Sequence, residues 1–380
     1  MMTRLRLTSL SLAAGLALGL TGCASWFSGS SSKPEPTPLA PMQQSLVPLK
    51  TQWTASVGDA EGYAFRPAYD GTRIFAADAS GRVSIVDATT GRDAGRVDFK
   101  APLTAGVTVQ DGRLLATTRQ GELVSITTSG EPRWKVRLSS LALETPQTDG
   151  KTVIVRTVDG HVTAFDFASG QQLWVYLRPQ PALTVRSSGN TALVGSEVVL
   201  VGESGGKLSV LNLASGDLLW DANVALARGA TEIDRVVDVA SPPVFDRGQI
   251  CAVAYQGRLT CFDARSAAPM WSREVSSSRP VALDAANVYV TAEDGTVWAF
   301  SRTDGKTVWQ QPGLKWRTVS GPAMLGRFVV VTDGEGWAHL LSNESGDLLA
   351  RTRTGVTGEP VAAGNALVVQ GDGRLAQLGL

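Results

Sequence analysis

The sequence predicts an all-β protein, an eight-bladed β-propeller of four-stranded antiparallel blades. Three observations support this prediction. The chain has 40 glycines and 18 prolines among 380 residues, a phrase of strands and tight turns recurs at intervals of roughly 40 residues, and the last copy of that phrase is incomplete. Chains rich in glycine and proline form many turns, which suits a fold of short strands joined by hairpins.

The clearest copy of the phrase spans residues 151–174. It contains a strand, an Asp159-Gly160 turn, a second strand, a Ser169-Gly170 turn and a third strand that includes Trp174. Asp-Gly and Ser-Gly pairs supply the positive φ that tight hairpins need. The first turn glycine recurs eight times, at Gly81, Gly121, Gly160, Gly206, Gly257, Gly295, Gly336 and Gly373. Eight copies of one multi-stranded unit indicate the blades of a propeller.

The two ends of the chain are expected to close the ring. The eighth copy stops at Leu380, before its outer strand, and residues 52–57 have the sequence of that missing strand. Pairing them with the last blade would remove a free sheet edge. The sequence therefore predicts a single propeller over residues 49–380.

One tryptophan position recurs in the repeats and is expected to cover the seam to the next blade. The residues at this position are Trp134, Trp174, Trp220, Trp271 and Trp309. A tryptophan ring buries a large apolar area while its N–H can still reach a carbonyl. Blades one and seven have Gly95 and Ala350 at this position, so their seams are expected to pack less well.

Composition excludes several classes of function. The chain has 35 basic and 35 acidic residues, which leaves no overall positive field for nucleic acid. It has two histidines and three cysteines, too few to favour metal sites or Ser/His and Cys/His catalysis. Both histidines, His161 and His339, follow turns and are expected at the surface or partly buried. With 43% hydrophobic residues, the chain can bury a large core.

The N-terminus has the features of a targeting segment. Arg4 and Arg6 precede an apolar stretch over residues 7–20, and Leu-Thr-Gly-Cys follows at residues 20–23. This motif resembles the lipobox of bacterial lipoproteins, which implies removal of residues 1–22 and lipidation of Cys23. Ala24, in place of aspartate, implies sorting to the outer membrane. The alternative is an ordinary secretory signal with a chance cysteine.

Residues 23–48 are expected to form a flexible tether. This segment is rich in serine and proline and has too few apolar residues to form a core. A coil of this length spans roughly 25–30 Å on average. The propeller would therefore work close to the membrane surface.

Two insertions interrupt the repeat, at residues 177–192 and 222–241. They follow the outer strands of blades three and four, so they should emerge on one face and adjoin. The apolar residues in them are Leu183, Val185, Leu226 and Ile233, and the charged residues beside these are Arg186, Glu232, Asp234, Arg235 and Asp238. Apolar side chains ringed by charges suit a protein-binding surface. The alternative is that both loops fold onto the propeller and bury their own apolar residues.

The whole chain resembles the BamB family, the propeller lipoproteins of the outer-membrane β-barrel assembly machinery. Leu-Thr-Val-Arg at residues 183–186 is similar to the family's Leu-x-Leu-Arg motif, and residues 233–240 match a second motif except at Ala240, where aspartate is expected. The resemblance implies a scaffold on the periplasmic face of the outer membrane, without catalysis or cofactor, that binds the POTRA domains of BamA and supports insertion of barrel proteins. It implies contacts to BamA from Leu183, Val185, Arg186, Asp234, Arg235 and Asp238.

Two other classes of function remain open. The same repeat builds quinone-dependent dehydrogenases, but these resemble the chain only in the phrase that ends at Trp174. A glycan-binding propeller would need an aromatic face, for which Trp298, Trp316 and Trp337 are the tryptophans outside the repeat position.

Cys251 and Cys261 flank the turn of blade five on neighbouring strands. In an oxidising compartment they could form a disulfide. The alternative is that they remain two buried thiols.

Overall fold

The computed structural model describes residues 34–42, 47–181, 183–185 and 190–380. Within these residues, 32 strands form eight four-stranded antiparallel sheets, and there is no helix of the length and apolarity that crossing a membrane requires. The predicted all-β, eight-bladed propeller is therefore confirmed. Cys23 and Arg186 lie outside the described residues.

The first four blades each run from an inner to an outer strand in chain order. Blade one has β2 (Ala68–Tyr69), β3 (Arg73–Ala77), β4 (Arg82–Asp87) and β5 (Asp93–Asp98). Blade two has β6 (Thr108–Gln110), β7 (Arg113–Thr117), β8 (Glu122–Thr127) and β9 (Pro132–Arg137). Blade three has β10 (Gln147–Thr148), β11 (Thr152–Arg156), β12 (His161–Asp166) and β13 (Gln172–Leu177). Blade four has β14 (Thr191–Val194), β15 (Val198–Glu203), β16 (Lys207–Asn212) and β17 (Leu218–Asn223).

The other four blades follow the same order. Blade five has β18 (Val244–Asp246), β19 (Gln249–Val253), β20 (Arg258–Asp263) and β21 (Pro269–Glu274). Blade six has β22 (Ala282–Leu283), β23 (Asn287–Thr291), β24 (Val297–Ser301) and β25 (Thr307–Gln311). Blade seven has β26 (Ala323–Leu325), β27 (Phe328–Thr332), β28 (Trp337–Leu341) and β29 (Leu348–Arg353). Blade eight has β30 (Pro360–Ala363), β31 (Ala366–Gly371), β32 (Arg374–Gly379) and β1 (Lys50–Ser56).

Blade eight joins the two ends of the chain. Its outer strand β1 pairs antiparallel with the C-terminal strand β32, from Lys50 opposite Gly379 to Ser56 opposite Arg374. The first strands of neighbouring blades contact one another, for example β2 with β6 and β26 with β30, so these strands surround the axis. The prediction that the N-terminal strand completes the last blade is confirmed.

Burial follows the position of a strand within its blade. In blade three the second strand, β11, is almost wholly buried, whereas the outer strand β13 is mostly exposed. Middle strands are covered by both neighbouring blades and are therefore apolar on both faces, while outer strands are not. The core is accordingly a ring of apolar clusters between blades.

The repeat tryptophans pack on a glycine of the next blade. The indole N–H of Trp174 donates to the Leu213 carbonyl at 2.9 Å, and a Cβ added to Gly216 would lie 2.6 Å from the ring. The ring thus occupies space that only glycine leaves free. The same bond and contact recur for Trp53 with Gly91, Trp134 with Gly170, Trp271 with Gly305 and Trp309 with Gly346.

Trp220 departs from this pattern. Among the described residues its indole N–H has no acceptor, and its ring is partly buried, 6.3 Å from that of Phe262. Where the other blades have the glycine, blade five has Ala267, with φ at 58°. The Cβ of Ala267 accounts for the looser seating, since a Cβ at the equivalent glycines would strike the tryptophan ring.

The two seams that lack the tryptophan differ from each other. At blade one, no ring lies on the glycine of the next blade: a Cβ on Gly130 would meet only the Val97 side chain at 3.6 Å, and Val97 itself is buried in a cluster with Leu114 and Ile126. At blade seven the prediction of looser packing is wrong. Ala350 is buried in one cluster with Leu49 and Leu378, because the N-terminal chain enters blade eight there.

Cys251 and Cys261 lie directly opposite each other on β19 and β20, and the structure joins them in a disulfide with a Cα–Cα distance of 4.1 Å. Both side chains are fully buried between blades five and six. The uncertainty of register left by the sequence is removed, because the pair is in register.

We expect the mature protein to contain no free thiol when it is unfolded without reductant. Closing a loop of about ten residues should stabilise the fold by about 2–3 kcal/mol. Replacing Cys251 and Cys261 together by alanine should therefore lower the melting temperature, and reductant should have no further effect on that variant. Alkylation followed by mass measurement counts the thiols, and two labelled cysteines in the unreduced protein would contradict the bond.

Candidate partner-binding site

Both insertions emerge on the same face of the ring. Residues 178–190 connect β13 to β14, and residues 224–243 connect β17 to β18. Each connection runs beside the turn that joins the two middle strands of its blade, as shown by Val224, which donates its N–H to the Gly206 carbonyl at 2.8 Å. We call this side of the propeller the insertion face.

Asp238 joins the two insertions. Its carboxylate accepts the backbone N–H of Val185 at 2.5 Å and that of Gly205 at 3.0 Å. Its backbone forms isolated bridges with Ser204 and Tyr255, the turns of blades four and five. Asp238 is 4% exposed. It therefore organises the loops from inside, and its carboxylate is not displayed to solvent.

The second insertion forms an exposed turn above blade five. Thr231 donates its N–H to the Asp234 carboxylate at 3.1 Å, and Asp234 donates its own N–H to the Thr231 hydroxyl oxygen at 3.1 Å. Bonds from Thr231 hold the pKa of the Asp234 carboxyl below its usual range. The Arg235 Nε donates to the Gly229 carbonyl at 3.2 Å. The amide of Gln256, oriented to satisfy its neighbours, donates to carbonyls including that of Val236 at 3.0 Å.

Three apolar side chains of the insertions lie in solvent. Leu183 is 51% exposed, Leu226 is 63% exposed and Ile233 is 70% exposed. The apolar residues that do fold inward, Val237 and Val239, lie in the core cluster of blades four and five. The loops are thus anchored by one set of apolar residues and display another, which is the arrangement of a protein-binding surface.

An apolar row on blade three continues this surface. Leu173, Val175 and Leu177 alternate along the outer strand β13, and all three are exposed. In each of the other blades at least one equivalent position is polar or charged, and on β9 the three are Arg133, Lys135 and Arg137. Charged residues protect exposed strand edges from unwanted pairing. Blade three lacks this protection just where the chain enters the first insertion.

A buried ion pair supports the first insertion from below. Arg156 donates to the Glu203 carboxylate at 3.1 Å and to the Gly202 carbonyl at 2.7 Å, and both side chains are buried. Burial raises the pKa of Glu203, although Arg156 opposes this shift. Nearby, the Glu144 carboxylate accepts the Asn190 N–H at 2.9 Å. A cavity of about 240 Å³ separates Arg156 and Glu144 from Val185.

The described part of the predicted site is thus brought together at one place. Leu183, Val185, Asp234 and Arg235 lie on the insertion face around the buried Asp238. Sequence reasoning missed the apolar row of β13 and the Arg156–Glu203 pair. The row could have been found as the one outer strand without a polar residue at alternate positions, whereas no signal in the sequence pairs Arg156 with Glu203.

A larger cavity of about 640 Å³ opens at the axis on the insertion face. Its carboxylates have partners within the chain. Asp333 bonds Arg317 and His339, and Glu359 accepts the Gly321 N–H at 2.7 Å. Among the described residues no three His, Cys, Asp or Glu side chains are grouped to hold a metal ion. The two carboxylates named here are thus engaged in bonds within the chain.

The tryptophans considered for glycan binding have protein partners in two of three cases. Trp298 stacks on Phe300 with 5.7 Å between ring centroids, and Trp337 lies under the guanidinium of Arg351 at 5.5 Å. Trp316 is half-exposed.

One prediction about the histidines is wrong. His339 is fully buried, with its Nε2 3.0 Å from the Asp333 carboxylate. His161 is half-buried beside Asp159.

Comparisons with known proteins agree on one family. A family profile described as outer membrane protein assembly factor BamB matches residues 79–311. The BamB of Bordetella pertussis is 34% identical over 366 residues, 95% of this chain and 94% of that protein. The crystal structure of BamB from Moraxella catarrhalis is 27% identical and has a TM-score of 0.81 over 87% of this chain and all of that one.

A quinohemoprotein alcohol dehydrogenase from Pseudomonas putida HK5 shares the fold alone. It is 12% identical and has a TM-score of 0.71 over 90% of this chain and 78% of that one.

Proposed function

The chain belongs to the family of the outer membrane protein assembly factor BamB, and from this premise we propose that it is a scaffold that binds BamA and supports the assembly of outer-membrane β-barrels. Its binding surface comprises the two insertions and the apolar row of β13. The partner is the set of periplasmic POTRA domains of BamA. The scaffold carries out no reaction of its own.

The observation that carries this proposal is the exposure of Leu183, Leu226 and Ile233 on the two insertions, whose described parts are joined through Asp238. Asp238 ties the insertions together, and Arg156 with Glu203 braces the sheet beneath them. A partner that meets a preorganised surface loses little ordering entropy on binding. Exposed apolar residues beside these internal bonds therefore favour the binding of a protein partner.

The residues of the surface have different roles in this proposal. Leu183, Ile233 and the predicted Arg186 contact BamA, with the exposed Asp234 and Arg235 at the rim. Asp238 is a positioning residue, because its carboxylate is occupied by Val185 and Gly205. In this proposal Asp238 does not contact BamA directly. Its carboxylate instead holds the backbone of Val185 in place.

The proposal includes attachment to the outer membrane. Cys23, following the lipobox, carries the lipid, and the propeller faces the periplasm. The relatives are named as outer membrane assembly factors, which supports this location. Stable anchoring requires more than one acyl chain, and a lipidated N-terminal cysteine supplies several.

We expect Leu183→Asp and Ile233→Asp each to weaken binding to purified BamA periplasmic domains by tenfold or more. Both substitutions place a charge in an apolar contact, and central contacts of this kind commonly contribute about 2 kcal/mol or more. Val308→Asp is the matched control, since Val308 is 44% exposed on the outer strand of blade six, away from the insertions. Binding can be measured by titration with the full-length lipoprotein in detergent.

Arg186→Ala should weaken binding in the same assay, and Leu173→Asp tests whether the surface extends along β13. All variants change exposed or loop positions, so their melting temperatures should stay close to that of the unmodified protein. Unchanged affinity in both Leu183→Asp and Ile233→Asp would rule out this surface.

A further inference from the structure

Residues 36–42, within the expected tether, lie against the propeller. Thr37 donates its N–H to the Lys315 carbonyl at 3.0 Å, and its own carbonyl accepts from Arg317 at 3.0 Å. Leu39 packs against the apolar cluster of blades six and seven, which includes Leu314 and Val319. These contacts combine backbone pairing, a charged donor and an apolar side chain.

Arg317 is the centre of this attachment. Its guanidinium is buried, with Nε 2.7 Å from the Asp333 carboxylate and a terminal nitrogen 2.6 Å from Glu335. The other terminal nitrogen donates to Thr37. His339 bonds the same Asp333 carboxylate from the core side. A guanidinium oriented by two carboxylates is a preorganised hydrogen-bond donor for a backbone carbonyl such as that of Thr37.

The chain is held again before it enters blade eight. Leu49 is buried, and Val47 packs in the same cluster with Ala350. The N-terminal chain is therefore attached at residues 37–39 and again at 47–49.

We propose that residues 36–42 form an anchor strap, bound by Arg317, which fixes the place where the lipid-bearing segment leaves the propeller. This inference rests on the proposed lipidation of Cys23. The length between the lipidated cysteine and the strap would then be residues 24–35, and a flexible coil of that length would span roughly 17–21 Å on average. The strap is an interaction surface whose occupant is a segment of the same chain.

The strap is attached on the insertion face of the propeller. Residues 312–322, which hold the strap, connect β25 to β26 and are the blade-six equivalent of the two insertions. Within this connection Trp316 donates its N–H to Asp294, beside the middle turn of its blade. The strap therefore leaves from the insertion face, two and three blades away from the insertions. A short tether from this rim keeps the insertion face turned towards the membrane.

The strap can be tested by hydrogen exchange on the full-length lipoprotein. We expect the Thr37 amide, which donates to the Lys315 carbonyl, to be protected at least tenfold over the same amide in an unstructured peptide. Leu39→Asp should abolish that protection, because Leu39 packs inward. Ala40→Asp is the matched control: Ala40 is exposed, so the same charge one residue later should leave protection unchanged. Neither substitution touches Arg317 or Asp333, so the buried network stays intact.

The orientation can be tested by energy transfer on vesicles of phosphatidylethanolamine and phosphatidylglycerol with acceptor-labelled lipid. A dye at Ala230→Cys reports the insertion face, and a dye at Thr303→Cys reports the opposite face; both positions are exposed. We expect stronger transfer from Ala230→Cys, and we expect Leu39→Asp to reduce the difference between the two dyes at least twofold.

Two results would overturn the strap. One is hydrogen exchange at residues 36–42 as fast as in a free peptide. The other is equal energy transfer from both dyes in the unmodified lipoprotein. Failure of the proposed function gives a different result. A protein without the lipid would not float with the vesicles at all, and a protein that does not use its insertions would bind BamA equally well with Leu183→Asp.

Discussion

Replacing Trp174 by alanine should lower the free energy of unfolding by about 3–5 kcal/mol, since a large buried ring is lost and a cavity remains. The loss includes the packing of the ring on Gly216 and the indole bond to Leu213. Trp220→Ala is the internal comparison. Trp220 has the same repeat position, but it is only partly buried, whereas Trp174 is buried, and the N–H of Trp220 has no acceptor among the described residues. We expect it to cost clearly less, and thermal unfolding of both variants measures the difference.

The same contact can be probed from the other blade. Gly216 and Gly248 both have positive φ, at 77° and 79°, but only at Gly216 would a Cβ meet a tryptophan ring. Gly248→Ala carries the backbone strain alone, so the excess loss in Gly216→Ala reports the clash with Trp174. This packing of tryptophan on glycine would be contradicted if Trp174→Ala and Trp220→Ala had equal melting temperatures. Equal melting temperatures for the two glycine variants would contradict it as well.

Arg156→Met should destabilise the fold by about 3–5 kcal/mol at pH 8, because it leaves the Glu203 carboxylate buried without its cation. The double variant Arg156→Met/Glu203→Gln removes both charges and should recover a large part of this loss. Chemical unfolding of the two variants and the unmodified protein measures the recovery. A single variant as stable as the unmodified protein would show that the pair does not brace the sheet under the first insertion.

The loss in Arg156→Met should also depend on pH. Burial already raises the pKa of Glu203 in the folded protein, and removal of Arg156 takes away a cation that lowers it. A carboxyl with a raised pKa in the folded state contributes most below its unfolded pKa, and that contribution is lost as pH rises through the folded value. The penalty should therefore be largest at pH 8 and shrink towards pH 5. A pH-independent penalty would assign the loss to packing.

The repeat was strong enough in the sequence to predict the fold, because each copy combines its turn glycines with alternating apolar residues. The number of blades follows from counting copies, and the closing strand, predicted at residues 52–57, is observed at residues 50–56. The recurrence of tryptophan predicted a seam position. The glycine on which each tryptophan ring packs could not be assigned from the sequence. It belongs to the following blade, where it is already explained as a turn residue.

The sequence located the two insertions, but it could not show which of their residues bond inside the protein. Interruptions of a repeat are visible in a sequence, and so the insertions and Leu183 were found. Whether a charged residue points outward is decided by partners far along the chain, and Asp238 bonds Val185, 53 residues away. The attachment of Thr37 to Arg317, 280 residues apart, is beyond any local pattern for the same reason.

The pairing of β1 with β32 imposes an order on biogenesis. Lys50 lies in the first strand of the propeller to be synthesised, whereas its partner Gly379 lies in the last one. The first strand therefore stays without its partner until the last strand has been synthesised. Such long-range contacts slow folding and leave an unpaired strand edge vulnerable to aggregation while they form. Closure of the ring thus requires the full propeller sequence. A polypeptide that ends before β32 leaves β1 without a strand to pair with.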